Sequence, residues 1–102
     1  MKKHEHHAKQ IEYYRKQIDM CDRTIANLLF FRFIMAEGIG ASKKKIKLGI
    51  IDEKRELEVI NNIKKEINRI SKTKKYSNKM IESFILNIFK DVLNYSKKIQ
   101  SK

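Results

Sequence analysis

The chain has 102 residues, no proline, three glycines and a formal charge of +12. Without the usual turn residues a multidomain or β-rich protein is excluded, and one helical domain is the natural reading. A lone core of this size is marginal, so an oligomer is expected. The single cysteine, Cys21, excludes an internal disulfide and reads as a small core residue in a reducing compartment.

The stretch Met1-Lys-Lys-His-Glu-His-His has no apolar leader segment, and residues 1–9 read as a flexible tail before a helical domain over 10–102. His4, His6 and His7 resemble a metal-binding tract, but a charged terminus is a solvated setting. They are given no role, and no metal site is expected. From about Gln10 to past Gly40, apolar residues recur at steps of three and four: Ile11, Tyr14, Ile18, Cys21, Ile25, Leu28, Met35 and Ile39. This spacing predicts one long helix with an apolar face, too long for a single small domain to cover. A second chain is expected to cover it. The apolar run from Asn27 to Met35 is interrupted by Arg32 and is too short for a bilayer, which gives the expectation of a cytoplasmic protein.

Residues 46–51 read as a connector, and Asp52 as the N-cap of a second helix. Its apolar positions are Ile60, Ile63, Ile67 and Ile70. Lys72 to Lys75 form a polar break, after which Ser77 is placed to cap a third helix carrying Ile81, Ile85, Phe89, Val92 and Ile99. The fold class is therefore all-α, with three helices per chain and a long first one.

Polar residues interrupt all three stripes. The step after Leu28 lands on Arg32, and a guanidinium on a buried seam is costly unless an anion meets it. The step back from Ile60 lands on Glu56, and the steps forward from Val92 land on Ser96 and Gln100. Three helices each bringing polar groups inward describe a pocket within a bundle. Only five of the 24 basic residues are arginine, and in so lysine-rich a chain an arginine marks a place for the planar donor that matches a carboxylate. Lys43 follows Arg32 by eleven residues, on nearly the same face. Arg15 lies 28 residues before Lys43, on the order of 40 Å along a continuous helix. It reaches the same site only from an antiparallel partner chain.

Arg15, with Ile18, Asp19 and Asp22 after it, then Arg32, Lys43, the run Gly49-Ile-Ile-Asp52-Glu-Lys-Arg55-Glu56, and Phe89 through Ser96 to Gln100 together resemble the all-helical class of chorismate mutases. The resemblance covers roughly residues 11–100. It implies an intertwined antiparallel homodimer that rearranges chorismate to prephenate, in phenylalanine and tyrosine biosynthesis, without cofactor, metal or nucleophile. By the same resemblance, the partner's Arg15 and this chain's Arg32 take the two substrate carboxylates, with Ser96 and Arg55 fixing the ring end. Lys43 and Gln100 donate to the ether oxygen, and Glu56 accepts from the ring hydroxyl with the backbone near Asp52 assisting. Between Glu56 and Ser96 the chain is about eight residues longer than the family pattern. A shorter register would put Ile88 and Val92 where the serine and glutamine belong, so the longer register is preferred.

An isochorismate-pyruvate lyase shares this fold and its cations, but Asp52, Arg55 and Glu56 favour the mutase. A basic helical nucleic-acid binder, using Lys43–Lys47 and Lys72–Lys75, is the alternative from another class. Lysine runs are usually solvated faces, and no aromatic stacking platform accompanies these. Neither nucleic acid nor membrane is expected as a partner.

Overall fold

The computed structural model describes residues 2–49, 52–74 and 79–102. Among them are three helices and no strand: α1 (Lys2–Lys45), α2 (Glu53–Lys74) and α3 (Lys79–Gln100). Ile50 and Ile51 of the connector, Lys75 of the expected polar break and the expected Ser77 cap lie outside the described residues.

Helix α1 begins at Lys2, nine residues ahead of Ile11, the first residue of its apolar stripe. Apolar spacing marks only the part of a helix that has a face for cover, whereas the early residues are mostly compatible with a helix and include no glycine or proline to stop it. His7 Nδ1 lies 3.2 Å from Gln10 Oε1 along that exposed turn. Among the described residues no three His, Cys, Asp or Glu side chains cluster as a metal site.

The end of α1 is closed by a chain reversal. Leu48 N–H donates to Lys43 O at 2.8 Å and Lys47 N–H to Lys44 O at 3.3 Å, with Lys47 in the left-handed region at φ 58°. These are the two bonds of a Schellman cap, formed around a lysine where glycine is usual. Lys43, Lys44 and Lys45 occupy the last turn, where cations complement the helix dipole. At the start of α2, Asp52 Oδ1 accepts from Arg55 N–H at 3.0 Å, so Asp52 is the N-cap the sequence indicates.

The chain divides into two compact units, Met1–Ile34 and Met35–Lys102. In the second, α2 and α3 pack against each other. Val59 and Ile67 of α2, Val92 of α3 and Ala36 at the end of α1 are buried. Ile81, Ile85, Phe89 and Ile99 of the expected α3 stripe are half-buried. On α2 the inward edge runs one position earlier than the isoleucine pattern suggests, because Val59 is buried and Ile70 remains 43% exposed.

The first unit contrasts with this. Ile11, Tyr14, Ile18, Ile25 and Leu28 are each at least half exposed, and Cys21, expected as a small core residue, is exposed as well. These residues stand on one stripe of a helix whose cover is not supplied within its unit. An 18-residue window of α1 has a mean hydropathy of 1.3. By length and composition alone α1 is therefore long and apolar enough to cross a membrane, which the interrupted run from Asn27 to Met35 did not suggest.

Candidate active site

The polar cluster of the second unit gathers at the end of α1, the first turn of α2 and the last turns of α3. Gly40 makes its closest approach possible. A methyl group there would lie 2.6 Å from both the Cα and the carbonyl oxygen of Gln100, a distance at which backbone has to move. Three residues on, Lys43 Nζ donates to Gln100 Oε1 at 3.1 Å, in a part-buried setting. Lys44 Nζ donates to the main-chain oxygen of Lys102. The last turn of α3 is thus held against the last turn of α1.

An ammonium has donors and no acceptor, so the Gln100 amide turns its oxygen to Lys43 and presents its NH2 elsewhere. Two N–H donor groups, one of them cationic, therefore stand side by side. Such a pair stabilises negative charge growing on an oxygen placed between them.

Glu56, in the first turn of α2, is half-buried, and its Oε1 lies 2.7 Å from Lys97 Nζ of α3. It also lines an open groove of about 500 Å³ between α2 and α3, with Leu57, Ile60, Lys90, Leu93 and Asn94. That volume is within the range of small-molecule sites. Ser96 is buried at 5% exposure and donates its hydroxyl to Val92 O at 2.8 Å. This is the i−4 back-bond common for a helical serine. Meeting a ligand carboxylate would require the hydroxyl to turn away from Val92.

Arg55 lies on the outer side of α2. Its guanidinium is 3.4 Å from Glu58 Oε2 and its side chain is 63% exposed. Asp52 spends one carboxylate oxygen on the helix cap. Arg15 is exposed and Arg32 half-buried, both on the first unit. The second unit thus brings together Lys43 with Gln100 and Glu56 with Lys97.

Two of these features were not read from the sequence. Lys97 is one lysine among many and lies beside the stripe rather than on it. Gly40 enters the sequence reading only as a point that the periodic pattern runs past. Its position four residues after the buried Ala36, on the same helix face, is the available signal.

Residues 14–101 match the family model described as chorismate mutase type II. The chain belongs to that family. No curated protein and no solved structure matches it. The matched span includes Arg15, Arg32, Lys43, Asp52, Arg55, Glu56, Ser96 and Gln100. Membership agrees with an all-helical domain.

Proposed function

We propose that this protein is a cofactor-free chorismate mutase, working as a cytoplasmic homodimer with composite sites, in aromatic amino-acid biosynthesis. The observation that carries the reading is the Lys43–Gln100 pair, 57 residues apart in sequence and 3.1 Å apart in space, in a member of the type II family. In the reaction one C–O bond breaks as one C–C bond forms within a single molecule. No proton or group is exchanged with the protein, so no acid, base or nucleophile is needed. The barrier falls because a flexible dianion is held in its reactive shape and because charge developing on the ether oxygen is met by donors already in place.

Lys43 and Gln100 are the donors to that oxygen. Arg32 and the partner subunit's Arg15 hold the two carboxylates, Ser96 assists at the ring end, where Arg55 joins it only by leaving Glu58 and the outer side of α2, and Glu56 accepts the ring hydroxyl near the capped start of α2. An excess of twelve positive charges steers a dianion toward the site. The uncovered stripe on the first unit supports the dimer, since a second copy presents a face of matching chemistry. A bilayer is the competing cover for α1, and it would have to accept Arg32 in the middle of the apolar run.

The test is a kinetic assay of purified protein given chorismate and isochorismate separately. Prephenate from chorismate supports the mutase. Free pyruvate from isochorismate, with chorismate untouched, would reassign the protein as a lyase. Turnover of neither, together with salt-sensitive retention of RNA or DNA, would favour a nucleic-acid binder.

A further inference from the structure

The ion pairs of α2 with itself and of α2 with α3 differ in kind. Arg55 with Glu58 and Arg69 with Glu66 each join residues three apart on the exposed side of α2. Pairs of that sort fix little, because solvent screens them and rotamer entropy opposes them. Lys97 with Glu56 joins two helices, with side-chain exposures of 35% and 29%. A partly shielded pair between helices determines where a carboxylate points.

We infer that Lys97 is a positioning residue for the hydroxyl end of the substrate, acting through Glu56. The inference rests on the mutase reading. With Oε1 held by the ammonium, rotation of the Glu56 carboxylate is restricted, and on this inference its other oxygen is the acceptor for the hydroxyl of a ligand in the groove that Glu56 lines. A position with an anionic acceptor welcomes a group that donates, a hydroxyl, and disfavours a carboxylate. The pair therefore tells the two ends of a hydroxylated dianion apart: carboxylates go to the arginines, the hydroxyl to Glu56. Lys97 precedes Gln100 by one turn of α3, so a single helix sets both the hydroxyl's anchor and one donor to the ether oxygen. Without Lys97 the Glu56 carboxylate would sample several rotamers and hydrate, and the hydroxyl would lose a preformed partner.

The experiment is steady-state kinetics of the full chain with Lys97→Met, on chorismate and on an analogue lacking the ring hydroxyl. On chorismate, KM is expected to rise about tenfold, with kcat changed much less. On the analogue, the variant and the unmodified protein should agree within about twofold, since no hydroxyl remains to be positioned. Lys97→Arg, which keeps the cation, should recover most of the loss. Equal losses on both substrates would mean that Lys97 only holds α2 against α3, and no loss on chorismate would mean that it does nothing; either overturns the inference. Comparing two substrates on one preparation removes differences in folding yield. Failure of the unmodified protein to turn over chorismate would instead sink the mutase reading itself.

Discussion

The unit Met35–Lys102 and the unit Met1–Ile34 carry apolar stripes of the same three-and-four spacing, with opposite outcomes. In the former, Val59, Ile67 and Val92 are buried, and Lys43 of α1 and Glu56 of α2 each meet a polar side chain of α3. In the latter, Ile11, Ile18, Ile25 and Leu28 stay at least half exposed. A periodic stripe states that a helix face wants cover. What supplies the cover is decided by the rest of the chain and, on the proposed reading, by a second copy. On that proposal the two regions divide the work, one supplying the donor pair and Glu56, the other the arginines and the face for a partner.

The largest effect should come from the arginine that interrupts the exposed stripe. Arg32→Ala is expected to lower kcat/KM on the order of a thousandfold, with helical circular dichroism unchanged. Activity close to that of the unmodified protein would remove the first unit from the chemistry and leave the contrast purely structural. Next comes the stripe itself. Leu28→Asp places a charge on a face meant for apolar cover, and sedimentation should show loss of the dimer with activity falling in step. An undisturbed dimer would show that the stripe is covered some other way.

Within the packed unit, Gly40→Ala should cost about 1–3 kcal/mol of stability through the clash with the Gln100 backbone. It should also lower kcat about tenfold or more by displacing Gln100 from Lys43. Chemical denaturation and single-turnover kinetics measure the two separately, and a kcat unchanged by the substitution would show that the Lys43–Gln100 contact is not needed. The smallest expected effect is at the start of α2. Asp52→Ala removes the cap on Arg55 N–H and should destabilise by about 1 kcal/mol. A stability loss well beyond that would give Asp52 a role greater than capping.

Much of the packed unit was legible because its residues announce themselves by type and interval. Asp52 stands where a helix has to start, Ile67 and Val92 repeat at helical spacing, and Glu56 and Gln100 break an apolar pattern where no surface reason exists. The longer register between Glu56 and Ser96 brings Gln100 to Lys43, while Ile88 remains 42% exposed and Val92 enters the core. Less legible were features set by neighbours distant in sequence. Nothing local marks Lys97 among nineteen lysines, and only the approach of α3 gives Gly40 its purpose. The start of α1 was missed for a different reason, since an apolar period marks a face that wants cover and a helix segment polar all round carries none.

The central claim is that one functional site takes residues from two chains. It is tested most directly by mixing Arg15→Ala and Lys43→Ala chains, each inactive alone, and refolding them together. Random pairing makes half the dimers hybrid, each with one site that keeps both native residues, so about one quarter of the unmodified activity should return. A mixture as inactive as its two components would contradict the shared site.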